Sequence, residues 1–229
     1  MNFFSIECCA NSFQSAINGQ TGGANRIELC RNLELGGLTP SKEEIKKTLK
    51  ILNIPVRILI RPRSGNFLFS KKELLEMISN IKFCKSIGCE GVVIGALNKD
   101  HSINIEQTEM MVKAAKPMHI TFHRAFDKAN NLRQNLEDVI SCGCNSLLTA
   151  GQSSNVMDGI ANLKKIIKLA NNRIQILAGS GVNHENVEIL YKIGIRNFHL
   201  SGSERGKDGI LETKTTNIEK LKTKLIPIV

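Results

Sequence analysis

Short apolar and β-branched runs alternate with longer amphipathic stretches along almost the whole chain. The short runs lie at 4–9, 26–30, 56–61, 91–95, 119–124, 146–150, 174–178 and 197–201, each about the length of one strand. Between them, apolar residues recur three and four apart at 12–22, 41–52, 71–87, 106–115, 132–142, 156–170 and 183–193, with a last stretch at 216–224. That is the spacing of helices with one buried face. Two helix starts are written out locally: Ser41 with Glu44, and Ser70 with Glu73, have capping-box spacing. Eight strands, each followed by a helix, predict an α/β fold, a (β/α)8 TIM barrel closed by parallel pairing. An open doubly wound sheet is the rival, but its glycine-rich dinucleotide fingerprint is missing after the first strand. No linker, low-complexity segment or charge block interrupts the series, so 1–229 reads as a single domain.

Strand alternation sorts the side chains. In such a barrel alternate residues face the interior and the helix layer, and sites gather at the C-terminal mouth. With Ile27 and Leu29 toward the helices, Arg26, Glu28 and Cys30 point inward. The same parity sends Ile6 and Cys8 outward and Ser5, Glu7 and Cys9 inward. It also turns Arg57, Leu59, Arg61, Thr121, His123, His199 and Ser201 inward, with Arg63 just past its strand. The mouth is expected to collect Glu7, Glu28, Arg61, His123 and His199, with Cys9 and Cys30 at its upper rim. Charges this dense are costly to bury unless paired. They form either an ion network filling the barrel or the working groups of a site, and their place at strand ends favours the site. Gly179 and Gly181 in LAGSGV (177–182) and Ser201 in SGS (201–203) stand where barrels bind anions on backbone N–H groups, or serve as tight turns. Asn183 is the expected cap of the helix that follows.

Composition narrows the classes. A chain of 229 residues with 41% hydrophobic content can bury one large core. No run approaches the roughly 18 apolar residues of a membrane helix, and the first residues lack a basic-then-apolar leader. A cytoplasmic location is expected, with the seven cysteines as thiols. The net charge of +10 comes from lysines spread over helix surfaces without interleaved aromatics, which argues against nucleic acid as partner. It does favour small anions through the overall field. Cys84, Cys89, Cys142 and Cys144 fall toward the opposite end of the barrel. That leaves Cys9 and Cys30 as inward thiols on neighbouring strands, soft ligands suited to Cu(I). A zinc site would want four closely paired ligands, which the spacing does not supply.

The strings GGANRIELC (22–30), GGLTPS (36–41), IRPRSGNF (60–67), GALN (95–98), TFHRAFD (121–127), LTAGQ (148–152) and FHLSG (198–202) stand in the order and spacing of one family. From residue 6 to about 203 the chain resembles the CutC family, called copper homeostasis proteins; the segment 207–229 matches nothing in it. The resemblance implies a (β/α)8 barrel, a cytoplasmic and often homodimeric protein, and copper bound through cysteines at the positions of Cys9 and Cys30. Ser64 and Asn66 depart from the usual Gly and Asp of the arginine motif, and Ser180 interrupts a glycine run.

The residues also leave an enzyme reading open, with a small anionic or phosphorylated metabolite as substrate. Arg61, Arg63 and Arg124 would then clamp the anion. His123 would be the acid/base, oriented by Glu7 or Glu28. No lysine falls at an inward strand end, which disfavours a Schiff base. In a variant, Glu7, Glu28, His123 and His199 hold a divalent ion that activates water.

Overall fold

The eight expected strands form β1 (Ser5–Ala10), β2 (Arg26–Leu29), β3 (Val56–Leu59), β4 (Gly91–Ile94), β5 (His119–Phe122), β6 (Ser146–Thr149), β7 (Gln175–Gly179) and β8 (Asn197–Leu200). Every strand pairs in parallel with its sequence neighbours, and β8 returns to β1, closing a TIM barrel. The computed structural model describes residues 4–207 and 209–226, so the outermost positions of the expected domain, 1–3 and 227–229, lie outside the described residues. The outer layer is α1 (Phe13–Thr21), α2 (Lys42–Ile51), α3 (Lys71–Ser86), α4 (Ile105–Ala115), α5 (Leu132–Ser141), α6 (Ile160–Ala170), α7 (Val187–Lys192) and α8 (Thr215–Leu225). None of these helices is long and apolar enough to cross a membrane.

Local chemistry explains where elements begin. At α3 the capping box closes: Ser70 Oγ accepts from the Glu73 N–H, and the Glu73 carboxylate accepts from the Ser70 N–H at 2.7 Å. At α2 only half of it forms, because the Glu44 carboxylate accepts from the Phe13 N–H instead. Helices α6 and α7 each begin four residues later than the periodicity suggests. Before α7, Asn183 Oδ1 accepts from the N–H groups of Glu185 and Asn186, so it makes a turn and does not cap the helix. A short hairpin, β9 (Ser203–Arg205) with β10 (Leu211–Thr213), has no counterpart in the expected elements. It is tied down beside α1, where the Thr213 N–H donates to Ser15 Oγ and Asn18 donates to the Thr213 carbonyl.

The outward strand residues, among them Ile6, Cys8, Ile27, Ile58, Phe122 and Phe198, join the helix faces in one large apolar cluster. A smaller cluster of Cys9, Cys30, Leu59 and Val93 lies inside the barrel. The alternation therefore aims Cys8 and Cys9 at opposite faces. Gly19 lets α1 rest directly on β1: a Cβ there would lie 2.7 Å from Cys8 Sγ and 2.9 Å from Cys8 Cβ. Gly19→Ala gains about 1 kcal/mol of helix propensity but overpacks a rigid strand, at a cost of about 1–3 kcal/mol. Denaturant unfolding should show a net loss of stability. A variant as stable as the parent would mean that α1 can slide off the strand.

Candidate functional site

The parallel register places Glu7 beside Arg26 on β2 and His199 on β8. Glu7 is fully buried, one layer below the mouth where it was expected. Arg26 Nε donates to Oε2, His199 Nδ1–H donates to Oε1 at 2.8 Å, and the Arg57 guanidinium lies 3.6 Å away. Burial alone would raise the Glu7 pKa. Arg26, His199 and Arg57 outweigh it and hold the carboxyl well below the usual range. Arg57 also donates to Glu90 at 2.7 Å and to Thr121 at 3.3 Å. The lower layer is thus an ion network.

Two residues further along β1 comes Cys9, paired with Glu28. Cys9 Sγ is 3.6 Å from Glu28 Oε1 and 3.8 Å from Cys30 Sγ. Donor atoms of Cys9, Glu28 and His199 all lie within 4.8 Å of one another. The hydrogen bond with Cys30, then burial and the Glu28 charge, push the Cys9 thiol well up. Burial also raises Glu28, with Glu7 adding to it. Burial would lower His199, but Glu28, Cys9 and Glu7 raise it well above an ordinary histidine. All seven cysteines are free. Cys30, expected at the rim, is completely buried and does not line the mouth, whereas Cys9 does. Cys8 faces α1, and burial pushes its thiol up to about 12. Cys84, Cys89, Cys142 and Cys144 are buried elsewhere.

Above this floor opens a cavity of about 850 Å³, lined among others by Cys9, Glu28, Arg61, His123, His199 and Ser203. Arg61 Nη1 donates to the carbonyls of Leu35, Gly36 and Gly37, and Nη2 to that of Gly65 at 2.7 Å, so one side chain fixes two mouth loops. Its guanidinium lies over the Phe67 ring at 4.8 Å, and that ring packs on His123 at 4.9 Å. Gly95, at the end of β4, makes room: a Cβ there would meet the imidazole at 2.5 Å. His123 Nδ1 accepts from the Ala125 N–H at 3.1 Å, so the ring is held by backbone and not by Glu7 or Glu28. Burial, Arg61 and Arg124 push its pKa down to about 3. It is a neutral imidazole with its proton on Nε2, not a base poised near neutrality.

The other expected anion ligands are divided. Arg124 lines the cavity, with Nε on Asp127 at 2.8 Å and Nη2 on the Ser153 and Ser154 carbonyls. Arg63 does not line it: the side chain turns to Glu73 at 2.5 Å and to the carbonyls of Ser64, Asn66 and Leu68. Gly181 and Ser201 line it, whereas Gly179 sits inside β7, where a Cβ would strike Leu148 and His199. Asp127 had no assigned role. Its carboxylate accepts from Arg124, from Thr149 Oγ1 at 2.5 Å, and from the N–H groups of Ala150 and Gln152, which makes it the anchor of this wall. The signal was its position three residues after Arg124 in TFHRAFD.

Glu7→Gln removes the carboxylate that contacts Arg26, Arg57 and His199 together. It should cost about 3–5 kcal/mol of stability, read by denaturant titration; a loss below about 1 kcal/mol would refute the central role of that carboxylate. His123 sets a pH dependence. Its folded pKa, about 3, lies below the ordinary 6.5, so between these values the unfolded chain binds more protons. The histidine's contribution is full above pH 6.5 and is lost as pH falls toward 3. His123→Gln should flatten the fall in stability between pH 6.5 and 5 by up to about 1.4 kcal/mol per pH unit. Parallel curves for parent and variant would show that the buried ring is not neutral.

A sequence profile of the CutC family matches residues 4–204. Among similar proteins, the family protein CutC of Aliivibrio fischeri is 44% identical over 200 residues, which is 86% of this chain and 81% of that one. The family protein CutC of Pasteurella multocida is 42% identical over 198 residues, again 86% and 81%. The crystal structure of CutC from Streptococcus agalactiae, described provisionally as a copper homeostasis protein, superposes with a TM-score of 0.83 at 30% identity, covering 86% of this chain and 98% of that one. Matched over nearly its whole barrel by profile, by relatives and by that structure, the chain belongs to the CutC family.

Proposed function

We propose that this CutC-family protein binds copper, as Cu(I), at the thiolates of Cys9 and Cys30. The observation that carries this reading is the 3.8 Å separation of the two sulfurs, both buried and free of a disulfide. Two metal–sulfur bonds of about 2.3 Å can join sulfurs up to about 4.6 Å apart, so the pair is within reach of one ion. Thiolates are the soft ligands that Cu(I) prefers, and His199 offers an imidazole at the same place. The copper homeostasis description of the Streptococcus agalactiae protein supports the same cargo. A reducing cytoplasm, which keeps thiols available, is the compartment this function fits; the homodimer implied by the resemblance belongs to the same proposal. Cys9 must give up a proton that its surroundings hold tightly, so binding releases protons and strengthens as pH rises.

A second donor set overlaps this pair: Cys9, Glu28 and His199 have donor atoms within 4.8 Å of one another, and Cys30 Sγ lies 3.8 Å from Cys9 Sγ. Such a mixed set suits tetrahedral Zn(II) as well. Anaerobic titration against a competing chelator separates the two. Cu(I) should bind one to one in the parent, with affinity reduced at least about 100-fold in Cys9→Ser/Cys30→Ser and changed little in Glu28→Gln. Undiminished Cu(I) affinity in the double variant overturns the site. Zn(II) outcompeting Cu(I), with its affinity lost in Glu28→Gln, overturns the identity of the metal.

A further inference from the structure

Arg61 is a buried cation, 5% exposed, whose four hydrogen bonds all go to neutral carbonyls. No carboxylate pairs with it among the described residues, and burial together with Arg63 depresses its pKa. Buried charges are ordinarily paired or bound to a counter-charge. Here the described residues supply no counter-charge.

A second observation is independent of the first. Among the described residues, six side chains carry a buried polar atom without a hydrogen-bond partner: Arg26, Glu28, Arg61, Gln107, His123 and Ser203. Four of them, Glu28, Arg61, His123 and Ser203, line the mouth cavity. An orphaned buried polar group costs about 1–3 kcal/mol, and such groups are few in native proteins and call for an explanation. Their concentration at one concavity is the mark of a site whose partner is a ligand. The atoms also define that ligand. Arg61 Nε and His123 Nε2 are both N–H donors without a partner, on two side chains that pack on the same Phe67 ring. Two fixed donors, one charged and one neutral, match an acceptor that bears negative charge. At about 850 Å³ the cavity is far larger than an ion needs and falls in the range of about 300–1,000 Å³ typical of organic ligands.

We infer that the mouth cavity binds a small organic oxyanion, a carboxylate or a phosphate monoester of metabolite size, with its charged group between Arg61 and His123. His123 acts as a fixed hydrogen-bond donor, its proton held on Nε2 because Nδ1 already accepts from Ala125. Arg61 has two duties: Nη1 and Nη2 hold the loops, and Nε is left for the ligand. Neither group is among the proposed copper ligands, so the inference goes beyond the copper reading.

The test uses metal-free, full-length protein and calorimetric titration. The probes are pyruvate, malate, glycerol 3-phosphate, ribose 5-phosphate and inorganic phosphate, with ribose as the neutral control. At least one carboxylate or phosphate ester should bind with a dissociation constant below about 1 mM, a typical ceiling for metabolite sites, and ribose should not bind. Which arm responds decides between carboxylate and phosphate. His123→Gln should weaken that probe about 10-fold or more, as expected when a hydrogen bond to a charged group is lost. Arg61→Ala releases two loops and risks misfolding. Gly95→Ala therefore provides a second variant, which displaces the imidazole while leaving every charge in place, and it too should weaken binding. Cys9→Ser/Cys30→Ser should retain the probe, which separates this site from the metal site. No probe bound, or affinities unchanged in His123→Gln and Gly95→Ala, overturns the inference. Inorganic phosphate binding equally well in all variants assigns the anion to surface lysines and overturns it too.

Discussion

The Glu7 carboxylate lies wholly inside the barrel with Arg26, Arg57 and His199 around it. These partners come from β2, β3 and β8, so one side chain on β1 ties four strands together from within. A charge in that place is tolerated only because it is paired and hydrogen-bonded on both oxygens. The same carboxylate holds His199 by Nδ1 and turns its other edge toward Cys9. Fold and candidate metal site therefore share a member: the ion network that closes the barrel also aims the imidazole above it.

The mouth divides along the strands that build it. Strands β1, β2 and β8 supply the floor of Cys9, Glu28 and His199, a mixed thiol, carboxylate and imidazole surface suited to a metal ion. The ends of β3 and β5 supply Arg61 and His123, bridged by Phe67, a wall of N–H donors suited to oxygen. Glycines make the wall possible by leaving space. Gly95 admits the imidazole, and a Cβ on Gly36 would come within 3.0 Å of Arg61 Nη1. Asp127 fixes the next segment by gathering Arg124, Thr149 and two backbone N–H groups onto one carboxylate.

Which side chains face inward was legible because a strand leaves no choice: with a period of two, a slip of one residue would turn Glu7, Arg26 and Glu28 into the apolar helix layer. Glu7, Cys9, Glu28, Arg61, His123 and His199 all follow that parity. Depth was not legible, because the stagger between strands, and not alternation, sets which layer a residue occupies. Glu7 was expected at the mouth and lies beneath it. Direction past a strand end was not legible either: Arg63 is drawn to Glu73, ten residues on, and leaves the cavity. The bond between Glu7 and His199 joins residues 192 apart, beyond any local pattern. His123 reads as an acid/base in sequence because histidine usually titrates near neutrality. Burial beside two arginines removes that property and leaves a donor.

The two occupants inferred for the mouth are coupled through charge. Loading Cu(I) on two thiols expels two protons and admits one positive charge, so the floor becomes more negative by one unit. An oxyanion held between Arg61 and His123 faces that floor across the same cavity, where low dielectric lengthens the reach of the change. Bound together as proposed, Cu(I) and the oxyanion would disfavour each other, and linkage makes the penalty equal in both directions. A divalent ion on the same thiolates leaves the floor's charge unchanged and carries no such penalty. The number of charges that arrive with the metal, set against the protons that Cys9 and Cys30 release, decides whether the two sites compete or coexist.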